Sequence, residues 1–134
     1  MIKLKNVIES DISFLFELLK KREEYENISH KIIPLFKNHK KFVNSKPYFK
    51  WYIIFDKFKK IGSIYLTNQN EIGIHFICDK NYDHFYLESL KIIMKKHPRN
   101  RFLININPKN KKLKQIIKIS KFKLIQHTYE LENI

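Results

Sequence analysis

Residues 75–91, HFICDKNYDHFYLESLK, decide the fold. Up to Cys78 the chain reads as a buried strand. From Tyr86 onward, Tyr86, Leu87, Leu90, Ile93, Met94 and His97 recur at helical spacing. Between the two lies the polar turn 79–84. A strand–turn–helix junction is a common place to hold a phosphate, because the helix N-terminus presents free N–H groups there. Glycine usually lets the backbone come close to such an anion. This turn contains none.

Working outward, "IKLKNV" alternates and predicts a first strand. Ser10 or Asp11 caps a predicted helix, "DISFLFELLKKR", with Ile12, Leu15, Phe16 and Leu19 on one face. A second helix is predicted around "SHKIIPLFKNHKKFV", with Ser29 as cap and Pro34 limiting where it begins. "FKWYIIFDKFKKIGSIYLT" holds two strand-like runs around a polar turn, and "NQNE" leads into a third, "IGIHFIC". These three make an antiparallel meander. The helix around residues 85–97 follows and stops at "HPRN". "RFLININ" predicts a strand, "PKNKKLKQIIKISK" a helix with Leu113, Ile116 and Ile117 on one side, and "FKLIQHTYEL" a last strand. The class is α/β.

The 134 residues suit one domain, 1–134, with one core. No apolar run is long enough to cross a bilayer, so no membrane role is expected. The start has charge but no apolar stretch behind it, and no signal peptide is expected. The single cysteine, Cys78, excludes an internal disulfide and suits a reducing cytoplasm. The net charge of +14 invites a nucleic-acid reading. Lysine far outnumbers arginine, however, asparagine and isoleucine are abundant and alanine is absent, the pattern that an AT-rich genome imposes. With no basic recognition helix or aromatic–basic motif, nucleic acid is not the expected partner. A homodimer is an admissible assembly.

The order of elements, and several segments with it, resembles the GNAT superfamily of acyl-CoA-dependent acyltransferases. "YFKWYIIFDKFKKIGSIYLT", with its Ile61-Gly62 pair, resembles that family's second and third strands, and "NEIGIHFI" its fourth. "NINPKNKKLKQIIKISKFKLIQHTYEL" resembles the closing strand–helix–strand. The resemblance covers nearly the whole chain. It implies a mixed, mostly antiparallel central sheet with parallel fourth and fifth strands and flanking helices, and acetyl-CoA as cosubstrate. It also implies transfer of an acetyl group to a primary amine of a small molecule. "ISHKIIPLFKNHKKF" is similar to members that acetylate amino sugars on nucleotides, where a histidine such as His39 recurs. Two positions depart from the pattern. The family's turn after the fourth strand carries Q/R-x-x-G-x-G/A, whereas this chain has Asp83 near the helix start, where it repels a phosphate. A tyrosine that protonates the leaving thiolate in many members is matched by Ile117. A protein of the same fold that binds or regulates without catalysis is therefore the alternative.

Strand alternation puts Glu71, Gly73, His75 and Ile77 on one face of the fourth strand, and Ile72, Ile74, Phe76 and Cys78 on the other, core-facing side. Glu71 and His75 are the candidate bases for the amine proton; the plainer alternative is a turn carboxylate and a hydrogen-bonded, half-buried histidine. By resemblance, the backbone at Phe76 and Ile77 together with Asn105, Asn110 and Lys112 would hold the coenzyme. Asn110 also suits a simple helix cap. His39, Trp51 and Tyr65 are the candidate acceptor-binding residues, although strand aromatics serve equally as core. No metal site is expected: His75 and Cys78 point to opposite faces, and no zinc-type spacing exists.

Overall fold

The computed structural model describes residues 1–27 and 32–133. Ser29, the expected cap of the second helix, lies outside the described residues. Strand β1 (Ile2–Asn6) leads through a short 3-10 turn into helix α1 (Ile12–Lys20), and α2 (Phe36–Asn44) follows. The chain then builds the meander β2 (Lys50–Asp56), β3 (Lys59–Leu66) and β4 (Ile72–Phe76), then α3 (Tyr82–Lys96) and α4 (Lys111–Ile119). The sheet order is β1-β2-β3-β4, antiparallel throughout.

Helices cover both faces of this sheet, which explains why "WYIIF" is apolar at every position. Tyr52 and Ile54 pack with Ile64, Leu66, Ile72 and Ile74 against Tyr86, Leu90 and Ile93 of α3 and Ile116 of α4. Ile53 turns the other way, onto Ile12, Leu15 and Leu18 of α1 and Val43 of α2. Leu18, where the periodicity pointed to Leu19, is the third fully buried position of α1. Gly62 sits where a Cβ would overlap the carbonyl oxygen of His75 on β4, so only glycine lets β3 and β4 close to pairing distance.

The last third departs from the expectation. Segment 101–107 makes a single parallel bridge, Glu71 with Leu103, and no further strand pairing among the described residues. Its alternating Phe102, Ile104 and Ile106 still face the core. Residues 122–131, expected as a closing strand, form none; Leu124, Tyr129 and Leu131 are exposed and Phe122 alone packs inward. In 101–107 the alternation reports which side chains are buried, not whether the backbone finds a ladder.

Candidate functional site

β4 is paired along one edge and open along the other. At its start, Ile72 N–H donates to Leu103 O at 2.8 Å and Leu103 N–H donates to Asn70 O at 2.8 Å. Beyond that point segment 104–107 diverges from the strand. Alternate residues of a strand turn their N–H groups to the same edge, so Ile74 and Phe76 present theirs to the gap that Ile72 bridges. Ile77 N–H points the other way and bonds Ile61 O at 2.9 Å. The two open-edge amides therefore belong to Ile74 and Phe76.

A cleft of about 260 Å³ occupies this gap. Gly73, Ile74 and His75 of β4 form one wall, Ile104, Asn105 and Asn107 face them, and Tyr82 and Tyr86 of α3 with Asn110 and Leu113 close the helix side. Glu71 stands at the bridged end. Its carboxylate accepts from Asn105 Nδ2 at 2.7 Å and lies 3.4 Å from Thr67 Oγ1, and Thr67 in turn accepts from Glu71 N–H at 3.1 Å. Two of the candidate residues thus meet each other, Asn105 holding the carboxylate of Glu71 in place. Asn107 reaches across to donate to Asn27 O at 2.9 Å, just after the short turn that carries Glu26 into the cleft lining.

Tyr65 lies over Gly73, its register partner, and a Cβ at Gly73 would overlap its ring. Tyr65 also stacks on Tyr48, with centroids 3.9 Å apart and planes within 6°. Trp51 does not line the cleft; it meets Tyr48 edge-on at 4.8 Å and 78°, a support for the wall rather than part of it. His39 is also away from the lining. It is 6% exposed on α2, set against Phe16 at 5.4 Å, and burial together with the charge of Arg22 pulls its pKa down, so its ring is neutral at ordinary pH. His75 lines the cleft beside Glu71's strand neighbours.

At the far end of β4, Cys78 is exposed, not core. Asn81 takes a left-handed conformation, φ 57°, the role a glycine would otherwise fill. α3 starts at Tyr82, earlier than the periodicity indicated, with Asp83 in its first turn. Lys112 ties α4 to this turn: its ammonium is 2.7 Å from Asp79 Oδ1 and 4.2 Å from the centroid of the Tyr82 ring. Asn110 is a buried cap, accepting from Leu113 N–H at 3.1 Å.

Sequence reasoning missed Glu26, Thr67, Tyr82 and Tyr86 as lining residues. Burial raises the hydroxyl pKa of Tyr48, Tyr65, Tyr82 and Tyr86, so all four stay protonated donors. The tyrosine run after the glycine-free turn was the signal available; Glu26 left none, since its place depends on where the chain returns after α1. Among the described residues no helix is long and apolar enough to cross a membrane.

No protein-family model and no curated protein sequence matches this chain. Solved structures do match it in shape. A domain from Methanocaldococcus jannaschii DSM 2661 aligns with a TM-score of 0.79 at 17% identity, over 97% of this chain and 93% of that one. Mutant forms of the spermidine/spermine N-acetyltransferase SpeG from Vibrio cholerae align at 0.72 and 15% identity, over 94% and 81%. The Campylobacter jejuni N-acetyltransferase PseH, solved with acetyl coenzyme A, aligns at 0.68 and 18% identity, over 96% and 92%. The fold is that of the GNAT acetyltransferases, as the sequence resemblance implied.

Proposed function

We propose that this protein transfers an acetyl group from acetyl-CoA to a primary amine of a small molecule. The observation that carries the reading is the open edge of β4, where Ile74, whose amide turns to that edge, and Glu71 line one cleft in an acetyltransferase fold. The residues fit the coenzyme at its thioester end. Free strand-edge amides can bond an extended amide-containing arm as a further strand would. At the phosphate end, Asn81 supplies the positive φ, the first turn of α3 supplies amides, and Lys112 supplies charge once released from Asp79.

Acetyl-CoA, when bound, supplies an activated acyl group as a thioester. Glu71, held by Asn105 and Thr67, takes the proton from the acceptor ammonium, directly or through a water, so that the neutral amine can attack. An open-edge amide, Ile74 or Phe76, donates to the carbonyl oxygen as it gains charge. A protonated tyrosine of α3 at the cleft, Tyr82 or Tyr86, stands in for the absent tyrosine at Ile117 and donates to the departing sulfur. His75, on the same wall, is the second candidate base.

An amino sugar nucleotide, implied by the sequence resemblance around His39, gains no support from a histidine packed on Phe16 outside the cleft. The cytoplasm, one domain over 1–134 and an optional homodimer complete the proposal. The non-catalytic alternative is favoured by the glycine-free turn and by the hold of Asp79 on Lys112. A thermal-shift titration with acetyl-CoA, followed by an amine-dependent assay for free thiol, separates the two readings. Stabilisation with thiol release supports the transferase; no stabilisation at millimolar acetyl-CoA overturns it.

A further inference from the structure

The last segment of the chain has the form of a strand without a ladder. Gln126 Nε2 donates to Thr128 Oγ1 at 3.2 Å, and the rings of His127 and Tyr129 stack with centroids 6.1 Å apart. Side chains that meet two residues apart are the mark of an extended backbone. Yet every residue from Lys123 to Asn133 is exposed, Tyr129 at 87% and Leu131 at 97%. Among the described residues no backbone hydrogen bond joins 122–129 to the body. The arm leaves from a fixed point, since Lys121 turns the chain at φ 64° and Phe122 packs into the core. Segment 101–107 has the matching need. Leu103 directs its N–H to Asn70 O and its C=O to Ile72 N–H, so Phe102 and Ile104 turn theirs to the opposite, outer edge. There, among the described residues, they make no backbone hydrogen bond, although both side chains lie against the core.

We infer that the protein is a dimer in which residues 122–131 of each copy add as a strand to the outer edge of 101–107 in the other. The exchange does not depend on the transferase reading, but it bears on the same cleft: 101–107 supplies the wall residues Ile104 and Asn105, and Asn105 holds Glu71. A second copy suits the arm better than a foreign chain does. Each chain carries both the arm and the edge, so a reciprocal exchange closes about a twofold axis and leaves neither over. Charge agrees. The chain as a whole is +14, yet residues 122–133 hold one lysine against two glutamates, and Arg101 and Lys109 bracket the receiving segment. The arm face with Ile125, Tyr129 and Leu131 would continue the apolar layer of Phe102 and Ile104. A ladder there also pairs the backbone groups of two half-buried residues. The far edge of the sheet, β1, is the poorer receiver, since Lys3 and Lys5 are exposed along it.

Size exclusion with light scattering, from micromolar to millimolar protein, and hydrogen exchange read by mass spectrometry test this together. A dimer is expected, with the amides of 101–107 and 122–131 both protected in it. Both should exchange at least about tenfold faster once dilution gives the monomer, while β1 shows no such dependence. Ile125→Lys with Tyr129→Lys places two charges on the arm face and should weaken the dimer at least about tenfold. Circular dichroism of that variant should match the wild type, because both side chains are exposed in a single copy. A monomer over the whole range overturns the inference, as does a dimer that the double variant leaves intact. So does a dimer that protects 122–131 and not 101–107, which is arm pairing with arm, or protection of both segments in the monomer, which is return of the arm to its own chain. None of these readouts uses acetyl-CoA, so the exchange stands or falls apart from the transferase reading.

Discussion

The two edges of β4 are built to different ends. Toward β3 the strand is paired from Ile72 to Phe76, and the fit is close enough that Gly62 cannot carry a side chain. Toward segment 101–107 it is held at one bridge and then left open, with amides facing a cleft. An unpaired edge is ordinarily a liability, because it templates association with other chains. Here α3, α4 and the turn after α1 line the gap beside it, which screens the edge from another strand. The comparison teaches that the paired edge supplies stability and the open one supplies the site.

The largest expected effect falls on the paired edge. Gly62→Val should cost about 3 kcal/mol or more, because backbone must shift to admit the Cβ; urea unfolding measures it. A loss under about 0.5 kcal/mol would show that β3 and β4 are not packed this closely. Next comes Gly73→Ala, one strand over, where the obstacle is the movable ring of Tyr65. Its stability cost should be smaller, about 1–3 kcal/mol, but it should also displace Tyr65 and weaken amine binding, as titration would show. Should amine binding survive intact, the Tyr65–Tyr48 wall is not part of the acceptor site.

On the open edge the effects are smaller and fall on ligand binding. Asp83→Asn removes a like charge from the first turn of α3 while keeping a residue that suits a helix start. Acetyl-CoA affinity should improve by about 0.3–1 kcal/mol, a few-fold in Kd. Low-micromolar binding by the wild type, unchanged by this substitution, would mean that the phosphates sit away from Asp83. The smallest effect is in pH. His39 is neutral in the fold because burial, and then Arg22, lower its pKa, while in the unfolded chain it titrates near about 6.5. Above that pH both states are neutral and stability is at its full value; below it the unfolded chain takes up a proton that the folded one resists, so stability falls toward the lower folded-state value. Melting temperature should therefore drop as pH goes from 7 to below about 6, and the slope should flatten in His39→Phe. An unchanged slope would place the effect on His97, whose pKa is lowered in the same sense by burial and by Lys50, Lys96 and Arg99.

Much of this was legible in the residues. The meander followed from alternation and polar turns, the core face of β4 from Ile72 and Ile74, and the start of α4 from Asn110. These depend on contacts between neighbours in the chain, where period and turn chemistry act directly. The glycine-free turn was legible as a departure, and its asparagine and aspartates are the residue types there that tolerate a positive φ; the structure gives that conformation to Asn81.

What only the tertiary structure decided lies in long-range meetings. Sequence placed strands at "RFLININ" and "FKLIQHTYEL"; the structure gives the first one bridge and leaves the second largely in solvent. Phe102, Ile104 and Ile106 satisfy their pattern by packing on the core, which requires no ladder. Glu26 enters the cleft from 45 residues before Glu71, and Lys112 reaches Asp79 across 33. A side-chain pattern records which face of a segment is buried, because burial is a property of each residue. Which backbone edge stays open, and which carboxylates share the resulting space, depends on how separate segments are brought together, and that is settled by packing of the whole chain.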